Sequence, residues 1–220
     1  VIFSVVIIRY IHNIKRLVSP AFFFVLLACS TAAFAAKGKL DIKYTVSLND
    51  VAKQEFHITT DIKNIDQPTL DLALPTWTPG WYTVENYFKN VLRFRISDAS
   101  GKVLPLRMTR KQTWRLDTRG IKQIRVDYDY SATVLGLNQA KIATDFAFFT
   151  GIELFLEPLG HSTDPSTVKF DIPAGWKLMS ALKDTADPMV FIAADYDTLV
   201  DAPALMGKFD VTQFEVEGKP

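Results

Sequence analysis

The sequence has one cysteine, Cys29, among its 220 residues, and only three histidines. Cys29 lies in an apolar N-terminal segment, so the rest of the chain has no thiol for a disulfide, a nucleophile or a thiolate metal site. The motifs H-E-x-x-H, G-x-S-x-G, G-x-G-x-x-G and Walker A are also absent. We therefore predict no catalytic residue, no metal ligand and no cofactor in this chain.

A charge excess of either sign is also absent, because 25 basic residues face 24 acidic ones. The first 35 residues hold Arg9, Lys15 and Arg16 and no acid, which leaves 22 basic and 24 acidic residues for the remainder. A domain so close to neutrality lacks the basic surface that nucleic acids require. The sequence thus gives no reason to expect a nucleic-acid partner.

The N-terminal segment has the organisation of an export signal. A basic stretch at residues 9–16 is followed by an apolar run that ends in small residues, with Ala33-Phe34-Ala35 at its end. We predict a leader over residues 1–36, cleaved after Ala35 or Ala36, and an exported domain over residues 37–220, periplasmic or secreted.

Two alternatives for this leader stay open. The apolar run approaches the ~20 residues of a membrane span, so it could remain as an anchor. Leu26-Leu27-Ala28-Cys29 resembles the bacterial lipobox, in which the cysteine is lipidated. Contact with a membrane is expected only through the leader or through a lipid on Cys29.

After residue 38 the dominant hydrophobic period is two. In KLDIKYTVSL, EFHITTDI and IKQIRVDYDY, apolar residues alternate with polar ones, as in strands with one buried face. Turn residues recur at short intervals, and KFDVTQFEV looks like a closing strand. These patterns predict an all-β domain, an antiparallel β-sandwich or a large curved sheet. One or two short helical turns are expected, at Thr83–Asn90 and Ala194–Leu199.

Few polar residues are spaced for chemistry. His57 and His161 have no partner histidine at ligand spacing, and we interpret both as structural or surface residues. Asp127 and Asp129 lie on one face of a strand and could bind calcium or act as an acid/base pair, but we interpret them as the solvated face of an amphipathic strand. A second acidic group fits turn and cap positions; its members are Asp195, Asp197 and Asp201.

The most distinctive segment is LPTWTPGWYTVENYFKNV, residues 74–91. It places several aromatic side chains around a Pro-Gly turn, which could form a binding platform for a sugar or peptide, or an aromatic plug at one end of a sandwich. The candidate recognition or domain-interface residues are Trp77, Pro79, Gly80, Trp81, Tyr82, Glu85, Tyr87 and Asn90.

This segment resembles the N-terminal domain of the glycyl aminopeptidase family of zinc metallopeptidases. Four further landmarks occur in the family's order, and the resemblance runs from about residue 39 to the C-terminus. They are Thr113-Trp114-Arg115, Val126–Tyr130, Phe170–Trp176 and Tyr196–Pro203.

The resemblance implies a β-rich domain that precedes a thermolysin-like domain with H-E-x-x-H, often followed by a PDZ domain. Zinc is then expected only in that catalytic domain. The implied partner is a metallopeptidase domain in the same polypeptide or from a neighbouring gene, and a peptide ligand is possible. The sequence departs from the family's usual P-G-S-Y-x-x-R-D, because Trp81 replaces Ser and Glu85-Asn86 replaces Arg-Asp. A freestanding exported peptide- or glycan-binding module, or a lipoprotein, is the alternative.

Overall fold

The computed structural model describes residues 38–77, 81–136, 138–212 and 214–217. The predicted leader with Cys29, and the turn residues Pro79 and Gly80, lie outside the described residues. Within the described ranges, no helix has the length and apolar character needed to cross a bilayer.

The described chain is mostly β-structure, as predicted, with two short α-helices and two 3-10 turns. The elements in chain order are β1 (Asp41–Ser47), a 3-10 turn (Val51–Lys53), β2 (Glu55–Lys63), β3 (Thr69–Ala73), a 3-10 turn (Tyr87–Asn90), β4 (Val91–Asp98), β5 (Leu106–Arg110), β6 (Thr113–Asp117), β7 (Gln123–Ser131), β8 (Thr133–Gly136), β9 (Gln139–Ile142), β10 (Phe146–Thr150), α1 (Gly151–Leu154), β11 (Glu157–Pro158), β12 (Ser166–Asp171), β13 (Lys177–Ser180), β14 (Lys183–Asp184), β15 (Val190–Ala193), α2 (Tyr196–Asp201) and β16 (Pro203–Gly207).

These strands form three open sheets instead of the predicted sandwich or single curved sheet. The seven-stranded sheet has the order β14-β15-β12-β1-β2-β7-β4, the five-stranded sheet β13-β16-β10-β9-β8, and the four-stranded sheet β11-β3-β6-β5. The prediction of an antiparallel arrangement is wrong at one pair, because β1 and β12 run parallel. A parallel pair needs a long connection between its strands, and here residues 48–165 form that connection.

Alternation explains the central strands. In β2 the side chains of Phe56, Ile58, Thr60 and Ile62 are buried, while the intervening residues are half-exposed. β1 and β7 follow the same rule, so their apolar faces join one hydrophobic core that also receives α1 and α2. The segments that form the candidate site pack against this core.

The two predicted helical turns are both present. A 3-10 turn covers Tyr87–Asn90, and α2 covers Tyr196–Asp201. Asp195 caps α2 as predicted, because its carboxylate accepts the Thr198 N–H at 2.7 Å. The prediction of a closing strand over KFDVTQFEV is wrong. In the described part of the chain the last strand is Pro203–Gly207, which pairs with β10 and β13 and ends before this segment.

Candidate functional site

The loop between β3 and β4 carries the aromatic segment. The Glu85 N–H donates to the Thr76 carbonyl at 2.8 Å, which closes the loop at its base. The Trp81 indole Nε1–H donates to Glu85 Oε1 at 2.8 Å, so Trp81 is drawn toward the base of the loop. Glu85 thus stabilises the loop through both its backbone and its side chain.

The aromatic residues of this loop divide into two sets. Tyr87 is buried, and Phe88 packs on the core against Trp114 with ring centroids 5.6 Å apart. In contrast, Tyr82 is 97% exposed and Trp77 is 50% exposed. The segment therefore has buried aromatic rings at its C-terminal end and exposed rings before it.

Gln112, a residue that the sequence did not single out, connects this loop to the turn between β5 and β6. Its amide oxygen accepts the Phe88 N–H at 2.8 Å, and its Nε2 donates to the Glu85 carbonyl at 3.3 Å. Its own carbonyl accepts the Leu74 N–H at 3.0 Å. Gln112 is buried and has a positive φ of 65°, which places the side chain under the loop.

We expect Gln112→Ala to lower the free energy of unfolding by about 2 kcal/mol, because it leaves two backbone groups of the loop without their partner. Urea unfolding measures the loss, and amide hydrogen exchange of Glu85 and Phe88 shows whether it is local. Lys111→Ala in the same turn, at an exposed position, is the matched control. Equal stability of the two variants would contradict the assigned role of Gln112.

Beneath the loop lies a buried carboxyl group. Glu153 of α1 is 0% exposed, and neither carboxylate oxygen makes a hydrogen bond of normal geometry with a described residue. Burial raises its pKa to about 9; the backbone of Thr150 opposes this increase, and the Glu85 carboxylate adds to it. At neutral pH Glu153 is therefore protonated and uncharged.

Two tyrosines share this interior. Burial raises the pKa of Tyr87, and Glu85 and Glu153 raise it further. Burial also raises the pKa of Tyr130, and both glutamates raise it further. The Tyr130 hydroxyl oxygen accepts a hydrogen bond from Asn90 Nδ2 at 3.0 Å. The site residues Glu85 and Tyr87 thus lie near Glu153, and Asn90 joins them through Tyr130, whereas Trp77 and Tyr82 are exposed.

A small cavity of about 150 Å³ opens beside this group, between the 85–90 segment and the β8–β9 hairpin. The Tyr87 hydroxyl and Asn86 Oδ1 are buried at this place without a hydrogen bond to a described residue. Val134 and Leu135 of the hairpin are exposed. The loop and the hairpin therefore form one continuous region that contains both polar groups and exposed apolar groups.

Three buried tyrosines hold the chain that follows α1. Each comes from a different element and donates its hydroxyl hydrogen to one of three consecutive backbone carbonyls. The pairs are Tyr44 with Leu156 (2.6 Å), Tyr196 with Phe155 (2.7 Å) and Tyr128 with Leu154. The backbone from Leu154 to Leu156 is therefore fixed by side chains.

A second polar cluster lies on the outer face of the seven-stranded sheet. His57 Nδ1 is 2.8 Å from Asp129 Oδ1, and Arg93 binds both Asp129 and Glu55. Arg93 has φ 52° at an irregularity in the β4–β7 pairing, and this bulge directs its side chain across the sheet. Asp127 accepts the Thr59 hydroxyl at 3.1 Å.

His57 and the carboxylates of this cluster are of the residue types that bind zinc. Arg93 and Thr59 already occupy the carboxylates beside His57, and among the described residues no group of three or more His, Cys, Asp or Glu side chains is arranged for a metal ion. The donor set does not fit zinc here. His161 is buried elsewhere, 2.8 Å from Asp164 Oδ2, in a structural contact as interpreted from the sequence.

The described part of the chain is a mostly β domain of three sheets. The chain belongs to the family described as the Peptidase M61 N-terminal domain, whose model matches residues 43–208. This finding confirms the family resemblance stated from the sequence motifs. A search of curated proteins found no match.

One solved structure shares the fold, and two others are more distantly similar. An aminopeptidase N family protein from Idiomarina loihiensis superposes with a TM-score of 0.74 at 25% identity, over 80% of this chain and 31% of that chain. The M1 zinc metallopeptidase of Deinococcus radiodurans bound to Tyr-Ser-Ala gives 0.44 at 13% identity, over 77% and 42%. Yeast LTA4 hydrolase in complex with bestatin gives 0.43 at 11% identity, over 77% and 29%. The chain therefore spans about a third of the first of these proteins.

Proposed function

We propose that this chain is the non-catalytic N-terminal domain of an exported zinc metallopeptidase and that it supports the zinc cleft of a separate catalytic domain. The observation that carries the proposal is the family match over residues 43–208. The chain's own contribution would be a surface for the catalytic domain and a wall beside its cleft. Zinc would be held by that domain.

The exposed apolar side chains favour the loop and the β8–β9 hairpin as this surface. Tyr82 and Val84 are 97% and 78% exposed, and Val134 and Leu135 of the hairpin are also exposed. Exposed apolar side chains on two neighbouring segments are typical of a protein interface. Burial of such side chains stabilises a complex by about 25 cal/mol per Å² of apolar surface.

The proposal is tested by reading the coding DNA beyond codon 220 and in adjacent genes for H-E-x-x-H. Where that motif is found, the two polypeptides are produced together and separately. We expect zinc-dependent release of N-terminal glycine from peptides only when both are present. A peptidase region with full activity in the absence of this chain would contradict the supporting role, and glycine release by this chain alone would contradict the non-catalytic role.

The interface is tested with the double substitution Tyr82→Ser and Val84→Ser. We expect at least a tenfold weaker association with the peptidase region, since both side chains lose apolar contact. Val103→Ser, at an exposed position in the connection between β4 and β5, is the control and should leave association unchanged. Equal affinity of both variants would exclude the loop as the interface.

A freestanding binding module is the second candidate. The exposed rings of Trp77 and Tyr82 favour it, because such rings stack on sugars and peptides. Binding of a glycan or peptide array by the chain, lost in Trp77→Ala and in Tyr82→Ala, would support this function in the absence of any peptidase partner.

A further inference from the structure

A groove with no assigned role lies between the end of β3 and helix α2. Its volume is about 310 Å³, and it is lined by Pro75, Trp77, Ile152, Tyr196 and Val200. Trp77 is the exposed member of this set, while Ile152 and Tyr196 are buried. The groove thus presents a partly exposed indole above an apolar floor.

Three carboxylates complete the lining of this groove: Glu157, Asp197 and Asp201. No lysine or arginine lines it, and none of the three carboxylates forms an ion pair with a residue that the structure describes. Elsewhere on this domain arginines pair with carboxylates, as Arg115 does with Asp71 and Arg125 with Asp61. The groove is therefore a concentration of uncompensated negative charge.

Two of these carboxylates are in unfavourable places. Glu157 is half-buried, and its pKa is raised by burial and by the charge of Asp197. Asp201 is the last residue of α2, the end of a helix where the backbone dipole repels an anion. A cation in the groove would relieve both repulsions. Local rules of this kind are commonly broken where a protein binds a ligand.

We propose that this groove binds an arginine side chain of a partner polypeptide. The guanidinium group would stack on the Trp77 indole and pair with the carboxylates at the edge of the groove. Arginine fits better than lysine, because a planar guanidinium lies flat on an aromatic ring and donates to two carboxylate oxygens at once. A cation over an indole face also gains from the ring quadrupole.

The test uses the full chain, uniformly labelled with ¹⁵N, and follows the indole N–H resonance of Trp77. That resonance is assigned with Trp77→Phe, which removes it. The probe is the end-blocked tripeptide Gly-Arg-Gly, and the control peptide has citrulline, an uncharged analogue of the same shape, in place of arginine. We expect saturable displacement of the Trp77 resonance by the arginine peptide, with a dissociation constant on the order of 1 mM. Citrulline should bind at least tenfold more weakly.

Variants separate charge from shape. The triple substitution Glu157→Gln, Asp197→Asn and Asp201→Asn should weaken binding of the arginine peptide at least tenfold, because all three carboxylates lose their charge. Asp184→Asn, at an exposed position on another sheet edge, should leave it within twofold. Circular dichroism establishes whether each variant is folded. If the triple variant does not fold, the single substitution Asp197→Asn replaces it.

A Trp77 resonance that does not move, equal binding of the citrulline peptide, or undiminished binding by the folded triple variant would each overturn the proposal. The measurement needs no peptidase domain, so its outcome is independent of the function proposed above.

Discussion

We expect the free energy of unfolding of the wild type to fall by about 3 kcal/mol between about pH 5 and about pH 8, and we expect Glu153→Gln to abolish this fall. Burial raises the pKa of Glu153 from its ordinary value of 4.5 to about 9 in the folded state. Between these two values the unfolded chain has lost the proton while the folded chain retains it. Stability contributed by the protonated group is therefore complete below 4.5 and is lost as the pH rises through 9, by about 1.4 kcal/mol per unit. The expected fall is smaller than the full slope, because relaxation around a buried charge reduces its cost.

Urea unfolding of the wild type and of Glu153→Gln over this pH range measures the effect. At pH 5 the two proteins should have similar stability, since both side chains are uncharged and of similar size. At pH 8 the variant should be the more stable of the two. Asp184→Asn, an exposed acid-to-amide change, should follow the wild type throughout. Parallel curves for the wild type and Glu153→Gln would show that the carboxyl group is solvated in the folded protein.

Gly151→Ala should lower the free energy of unfolding by about 3 kcal/mol, and it could prevent folding altogether. A Cβ at this position would lie 2.2 Å from the Leu199 carbonyl oxygen and 2.9 Å from Val200 Cα. Both are backbone atoms of α2, so no flexible side chain can move aside. The same contact carries the hydrogen bond from the Gly151 N–H to the Ala202 carbonyl, 3.1 Å long.

The measurement is again urea unfolding, together with the yield of folded protein. Gly101→Ala is the matched control: its φ of 84° disfavours alanine, but no atom lies within 4 Å of the added Cβ. The control should lose only about 1 kcal/mol, the conformational cost of leaving glycine. A similar loss in both variants would mean that α1 and α2 separate easily, contrary to the close contact described here.

Alternation of polar and apolar residues was sufficient to predict the strands with one buried face. β1, β2 and β7 all coincide with predicted segments. The same signal could not find β10, because Phe146–Thr150 is nearly continuously apolar. Nor could it identify partners: the parallel pairing of β1 with β12 depends on a contact between segments more than 100 residues apart. KFDVTQFEV alternates well, yet the preceding strand takes the available places beside β10 and β13.

The sequence predicted the part of the candidate site that has an unusual composition. It did not predict the residues whose role depends on single contacts in the folded chain. The aromatic loop was visible because tryptophan and tyrosine are concentrated around a Pro-Gly turn. Glu153 was missed, since nothing in GIELFLEP, which contains both Glu153 and Glu157, gives a sign that the Glu153 carboxyl group is buried without a hydrogen-bond partner among the described residues. Gln112 was missed for the same reason: its positive φ and its two bonds to the loop exist only after β5, β6 and the loop have assembled.

The three tyrosine hydroxyls have a consequence for the order of folding. The residues they join are 112, 26 and 41 positions apart in the chain. Loops of such different lengths close at different rates, and the segment from Leu154 to Leu156 gains its last hydrogen bond only when β1, β7 and α2 are all in place. This segment continues α1, whose Ile152 lines the acidic groove and whose Glu153 lies under the aromatic loop. The wall between those two places is therefore complete only when β1, β7 and α2 have all assembled.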